Sequence, residues 1–445
     1  MNVVRPPGPK NPPIIGNLYA FRSDPLGFLG NAAREYGDLA YFKVARQHMY
    51  LVNHPDYVRE VLVTNQSNFV KSRALQRAKI LLGEGLLTSE GQHHLRQRRL
   101  VQPAFHRERL AGYAAAMSEC AVRWRERWQG GRTLDVSTEM PLLTLSVVAK
   151  TLFSADVQSE ASEIGAAMTS VLEMFRLLLL PFSEYLDKLP LPSIRRFEKA
   201  RGRLDATIYG LIRERRKSGK DTGDLLSMLL LAQDEEKNEG GMTDEQVRDE
   251  ALTLFLAGHE TTANALTWTW YLLSQHPDIE RRFHAEIDSV LDGRAPELAD
   301  VPELRYTETI LAEALRLYPP AWAIGRKALG AFTLGGFEIP ANSICIVSPY
   351  VVQHDARWFP DPEKFDPGRW TPEAREARPK FSYFPFGGGA RVCIGERFAW
   401  MEGVILMAAI AQKWRFCLEP GQHVRPLPLI TLRVKDGLRM IAEPR

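Results

Sequence analysis

FPFGGGARVCIGERFAWMEG, residues 384–403, sets three glycines ahead of a single cysteine and follows it with a long amphipathic stretch. Glycine opens backbone conformations closed to other residues and permits close approach of a flat partner. Successive N–H groups in such a loop can converge on one anion, and the positive end of a following helix adds to their field. Both effects lower a thiol's pKa, and Arg391 adds a cation two residues upstream. Cys393 therefore reads as a thiolate held against something planar. A cysteine in apolar surroundings is by itself more often an inert core residue. The glycines and the arginine are what change that reading.

The rest of the chain narrows what such a thiolate can serve. Its 445 residues carry 57 Lys and Arg against 54 Asp and Glu, a net charge of +3. That balance is too weak for a nucleic-acid protein, which concentrates basic residues in stripes. The four cysteines, Cys120, Cys345, Cys393 and Cys417, stand far apart, which excludes a C-x-x-C pair or a zinc ribbon and gives no sign of a disulfide framework. The start, MNVVRPPGPKNPPIIGNLYAF, is broken by prolines and has neither a signal-peptide core nor an apolar run of the ~20 residues that span a bilayer. A cytoplasmic chain without a transmembrane segment is expected.

Alternation at 37–53 predicts a hairpin, and FTLGGFEIP with SICIVSPYV predicts more strand at 332–351. Nearly everything else reads as helix, including 108–232 with short breaks, and the polar run at 233–241 reads as a loop. The longest helix starts at Thr243, whose capping box with Gln246 marks its N-terminus, and Pro277 marks its end. It is apolar on all sides through its middle and so should be buried. Yet AGHETT, residues 257–262, places a glycine, a carboxyl and two hydroxyls at its centre. Glycine loosens a helix, threonine can bond back to the preceding turn, and unpaired buried polar groups are costly. A loosened or bulged turn is expected there, with Glu260 and Thr261 as a proton-delivery pair beside a bound reactant.

Together these segments resemble the cytochromes P450, the haem-thiolate monooxygenases. The pattern F-x-x-G-x-R-x-C-x-G is met by Phe386, Gly389, Arg391, Cys393 and Gly395, and it continues with Ala399 and Glu402. AGHETT resembles the family's oxygen-activation motif, EALR its E-x-x-R motif at Glu313 and Arg316, and FDPGRW the later segment that supplies Arg369. The four motifs occur in the family's order, and the resemblance spans the chain.

That resemblance implies a mainly α fold with a small β region: a triangular prism of helices around a buried haem. It implies one domain over 1–445, with its β-rich part at about 37–65 and 325–360. It makes Cys393 the axial ligand of haem b, whose thiolate favours O–O cleavage. Phe386, Gly387, Gly395 and Ala257 become haem contacts, and Ala257 and Thr262 pocket-lining residues. Arg98, Arg326 and Arg391 become cations for the propionates, while His94 stands where the family usually has tryptophan, four residues before Arg98. Glu260 and Thr261 take the distal, proton-passing role. Glu313, Arg316 and Arg369 form a buried ion network. His259, His276 and His354 carry no chemistry in this reading.

No flavin or iron–sulfur module is read in the sequence, so the two electrons that accompany O2 would come from NAD(P)H through a reductase and an acidic ferredoxin or flavodoxin. Such a partner would be steered by a basic patch at Arg98, Arg99, Arg397 and Lys413. The apolar stretches at 73–88 and 170–193 fall in the family's variable lid segments and imply an apolar substrate, a fatty acid, terpenoid or steroid, handled by a monomer that hydroxylates or epoxidises it. Two other readings stay open: a peroxide-driven or substrate-rearranging haem-thiolate enzyme, against which Glu260 and Thr261 speak, and a haem-based sensor, which would need an output module.

Overall fold

Capping signals set the element boundaries more sharply than periodicity does. The computed structural model describes residues 5–154, 192–233 and 240–445. Its helices of eight residues or more, in chain order, are α1 Pro25–Tyr36, α2 Gly91–Val101, α3 Arg107–Arg125, α4 Val136–Phe153, α5 Pro192–Ser218, α6 Asp244–Gln275, α7 Pro277–Leu291, α8 Arg305–Leu317 and α9 Glu396–Ala411. The described strands are β1 Leu39–Val44, β2 Gln47–Val52, β3 Phe69–Lys71, β4 Thr133–Asp135, β5 Ile324–Ala328, β6 Phe332–Leu334, β7 Phe337–Ile339, β8 Ile344–Val347, β9 Trp414–Leu418, β10 Pro426–Pro428, β11 Leu432–Val434 and β12 Arg439–Pro444. The fold is thus mainly helical with small sheets, as the sequence implied.

The chain divides into two compact units, neither continuous in sequence: one holds the residues up to Gln76 with Ala312–Cys393, the other Arg77–Leu311 with Ile394–Arg445. In the first unit, the predicted hairpin forms, with Leu39 opposite Val52 and Val44 opposite Gln47. It belongs to a five-stranded sheet of order β1-β2-β8-β5-β3, in which only β2 and β8 run parallel. One side of this sheet packs Tyr41, Tyr50, Cys345 and Val347 with Leu62 and Phe384; the other packs Phe42, Leu51 and Ile346 with Leu29 of α1. That alternation of neighbouring strand residues between two cores is the period-two signature of a sheet covered on both faces.

The second unit is built on α6. Thr243 Oγ1 accepts the Gln246 amide at 3.2 Å while Gln246 Oε1 accepts the Thr243 amide at 3.0 Å, the capping box read in the sequence. Thirty-two residues follow, ending at His276 before Pro277 opens α7. At 1.5 Å per residue that is about 48 Å of helix. α4 packs along it where Gly258 leaves room: a Cβ there would already touch Val148 at 3.4 Å, and Thr144 Oγ1 donates to the His259 carbonyl at 3.0 Å. Among the described residues α4 is the one helix long and apolar enough to cross a membrane, and 67% of it is buried inside the protein.

Several expectations are corrected. The β-rich stretch does not run through 65: Pro55–Arg59 is α-helix, capped by the His54 side chain, and Glu60–Thr64 continues it as a π turn. Nor does strand reach 351, because Ser348 caps a short helix opened by Pro349. The C-terminal region, read as helix, instead carries β9 to β12, and β12 pairs with both β9 and β4. These strands are three to six residues long, too short for periodicity to declare them. The lid stretch at 170–193 lies, up to residue 191, outside the described residues, as do residues 234–239 of the polar run.

Candidate active site

In the first unit the cysteine loop is a set of tight turns. Gly387 donates to the Phe384 carbonyl at 2.9 Å, Cys393 to the Phe386 carbonyl at 3.0 Å, and Val392 to the Gly389 carbonyl at 3.1 Å. Gly389 sits at φ +71, where a Cβ would lie 2.0 Å from the Leu62 carbonyl oxygen, so only glycine fits. The next amide, Ala390, is held by Gln66 Oε1 at 2.9 Å. So pinned, the loop leaves Cys393 exposed, whereas Cys120 and Cys345 are buried with thiols pushed up by desolvation to about 11 and about 12. Arg326 is buried on β5, and Arg391 is half-buried with Nη2 3.5 Å from the Phe69 carbonyl.

The same unit brings Glu313, Arg316 and Arg369 together. Arg316 grips both Glu313 carboxylate oxygens, at 2.8 and 2.9 Å, with both side chains fully buried. It also donates to the carbonyls of Gln353, Pro362 and Lys364. Glu313 accepts from the Asp366 amide and from Trp370 Nε1, with Arg369 Nε 3.3 Å away. Sequence reading missed Trp370 and Gln353, although Trp370 is the residue after Arg369.

In the second unit, α6 is buried almost continuously from Val247 to Trp270, except at Leu256, Ala257, Gly258 and Thr261. Ala257 is exposed, and Thr261 Oγ1 donates back to its carbonyl at 2.7 Å. The expected bulge does not form; residues 244–275 are unbroken α-helix. Nor do Glu260 and Thr261 share a direction, since neighbours on a helix diverge by about 100°. Glu260 is 6% exposed and turned to the C-terminal hairpin. It accepts Arg433 Nε and Nη2 at 2.6 Å each and Thr431 Oγ1 at 2.6 Å. Burial raises its pKa, but the Arg433 guanidinium more than reverses that and holds it below the ordinary 4.5. Glu260 is therefore held as a carboxylate, paired on a face of α6 turned away from Thr261.

His94 and Arg98 both lie on α2, with His94 Nδ1 3.4 Å from Ser89 Oγ. Arg96, on the same helix, donates to the Gly240 and Gly241 carbonyls. Of the basic patch, Lys413 is ion-paired with Glu126. His259 is buried against Phe255, with a pKa lowered to about 4 by desolvation, and His354 is likewise lowered to about 4. One further acid was not anticipated as a site. Glu402 on α9 is fully buried, and desolvation, only partly offset by the Thr262 hydroxyl, pushes it up to about 8.

The family model Cytochrome P450 matches residues 6–435. The chain belongs to the cytochrome P450 family. It is 43% identical over 436 residues to cyclooctatin synthase of Streptomyces melanosporofaciens, covering 97% of this chain and 94% of that protein. It is 38% identical to cyclooctat-9-en-7-ol 5-monooxygenase of the same organism, over 98% of this chain and 95% of that one. To pentalenene oxygenase of Streptomyces avermitilis it is 37% identical, over 96% and 95%. As a cytochrome P450 it is an oxidoreductase, a haem-thiolate monooxygenase. The donor set fits that group: the first unit offers one exposed thiol on a loop that only glycine can build, with two guanidinium groups for carboxylates.

Proposed function

We propose that this cytochrome P450 inserts one oxygen atom of O2 into an apolar terpenoid, by hydroxylation or epoxidation, using electrons delivered from NAD(P)H by a separate reductase and a ferredoxin or flavodoxin. Three relatives whose names carry terpenoid chemistry support the substrate class. The observation that carries the mechanism is the break in burial on α6, where Leu256, Ala257, Gly258 and Thr261 interrupt a stretch otherwise buried from Val247 to Trp270. Cys393 would hold haem b through its sulfur, with Phe386, Gly387 and Gly395 as contacts and Arg326, Arg391, Arg98 and His94 for the propionates. Bound there, haem supplies oxygen activation, which the thiolate's electron donation assists.

What the protein's own groups do follows from their chemistry. Thr261 spends its one hydroxyl proton on the Ala257 carbonyl, so its lone pairs are left to accept from water and order it. Arg98, Arg99 and the exposed Arg397 give a cationic face for an acidic electron donor; Lys413 contributes less because Glu126 neutralises it. The Glu313 network stiffens the segments around Gln353 and Pro362 to Asp366, which lead toward the cysteine loop.

The test is the difference spectrum of the reduced protein with carbon monoxide, followed by turnover of a cyclic terpene hydrocarbon with NAD(P)H and surrogate redox proteins against peroxide alone. The thiolate-type band and oxygenated product only in the first arm are expected. Turnover solely with peroxide would sink the two-electron reading. Retention of the haem absorption in Cys393→Ala would sink the ligand assignment.

A further inference from the structure

Helix α6 grips the C-terminal hairpin through side chains spaced by four. Beyond the Glu260 contacts, Asn264 Nδ2 donates to Thr431 Oγ1 at 3.1 Å and to Glu260 Oε1 at 3.2 Å, and Trp268 Nε1 donates to the Leu432 carbonyl at 2.9 Å. Residues 260, 264 and 268 fall on one helical face. They engage three successive hairpin residues, Thr431, Leu432 and Arg433. The hairpin itself has little to stand on: β10 and β11 pair over three residues each, and Pro426 and Pro428 have no amide to donate. A two-stranded ribbon of that length is marginal alone. Its three-residue loop, Leu429 to Thr431, opens with two apolar residues, and Ile430 is 39% exposed. Trp268 and Asn264 are neutral, so the one charged rung is Glu260 with Arg433, immediately before Thr261.

We propose that Arg433 is a positioning residue: by its ion pair with Glu260 it fixes the hairpin, with the apolar Leu429 and Ile430 of its loop, to the α6 turn that carries Thr261, so that substrate fit and proton delivery are set together. The proposal rests on the function proposed above. Its physics is asymmetric. Glu260 is buried on the helix, while the Arg433 side chain is 32% exposed on the hairpin. Displacing the hairpin would take the cation toward water and strand a carboxylate, which is unfavourable until the carboxyl takes up a proton. The groups acting on that carboxyl are Arg433 from β11 and, on its own helix, His259, which burial keeps neutral near pH 7. Glu402 of α9 is not among them; its own carboxyl is the one that the Thr262 hydroxyl acts on.

The experiment compares ferric holoenzyme with Arg433→Leu, Arg433→Lys and Glu260→Gln. Amide hydrogen exchange is read across 426–434, and Soret shift titrations and hydrogen peroxide per NAD(P)H are read with a tricyclic sesquiterpene hydrocarbon as probe. In Arg433→Leu, hairpin exchange should accelerate about tenfold or more, on the scale of a typical coupling between sites. The half-saturating probe concentration and the peroxide share should rise with it. Arg433→Lys should recover most of each change. Unchanged exchange in Arg433→Leu overturns the proposal, as does faster exchange with parental titration and peroxide share, which would make the ladder a plain structural strap. Should Arg433→Leu yield no soluble protein, parental exchange and peroxide share in both of the other variants overturn it. Exchange reads the ladder without turnover, so a missing carbon monoxide band in the parent would fail the proposed function separately.

Discussion

Two buried carboxylates, Glu313 and Glu260, each face arginine, and they are built for different ends. Glu313 and Arg316 lie on one helix, three residues apart, both fully buried, and the guanidinium is saturated by three backbone carbonyls besides its partner. Glu260 meets an arginine 173 residues away in sequence whose side chain is a third exposed. The first is a clamp with no exit to water. The second has an exit on one side only. Where a cation can reach solvent, breaking its pair strands one charge instead of two, and that makes the contact adjustable.

The comparison is broken most severely at the clamp. Glu313→Ala leaves Arg316 buried with no countercharge and frees Trp370 Nε1 and the Asp366 amide, a loss of about 3–5 kcal/mol. The variant is expected to lack incorporated haem and to melt far below the parent in calorimetry. A fully haem-loaded, parental-stability Glu313→Ala protein would show that the clamp is dispensable.

A third buried acid, Glu402, sharpens the contrast because no cation pairs with it among the described residues. Its pKa in the fold is about 8 against an ordinary 4.5. A raised folded pKa means the unfolded chain ionises first, so stability is greatest below about pH 4.5 and falls as pH rises toward 8, levelling above it. Glu402→Gln removes that fall. The difference in melting temperature between variant and parent should therefore grow in the variant's favour across that window, up to a few kcal/mol in stability. A pH-independent difference would mean Glu402 is ionised in the fold after all.

The adjustable pair should lose less than the clamp. In Glu260→Ala the abandoned Arg433 can turn to water, and the remaining losses are hydrogen bonds from Thr431 and Asn264, about 1–2 kcal/mol in denaturant titration. A loss equal to that of Glu313→Ala would erase the distinction between the two pairs.

These contrasts also mark what the sequence could disclose. The clamp was legible because E-x-x-R is a local pattern, and α6 was legible because a capping box and a proline bound it. The cysteine loop was legible because Gly389 has one steric solution. The partners of Glu260 were not, since nothing local links residue 260 to Thr431 or Arg433, and the three-residue strands that carry them leave no periodic trace. That is why Glu260 was read from its position beside Thr261 alone, with its long-range partners unseen. Ion pairs distant in sequence are set by tertiary packing, and short edge strands by the partners they find.

The smallest stability effect is expected beside the adjustable pair, at Thr261. Its hydroxyl donates only to the Ala257 carbonyl, a group already within the helix, and its side chain lies where α6 is open. Thr261→Ala removes a back-bond that bends more than it braces, so the change in stability should stay within about 0.5 kcal/mol. Coupling should change far more, with peroxide released per NAD(P)H rising severalfold as ordered water loses its anchor. Stability and coupling therefore separate at this position, whereas at Arg433 they should move together through the hairpin. A Thr261→Ala protein that melts with the parent and also couples with it would remove Thr261 from proton delivery and leave the opening in α6 as a binding surface only.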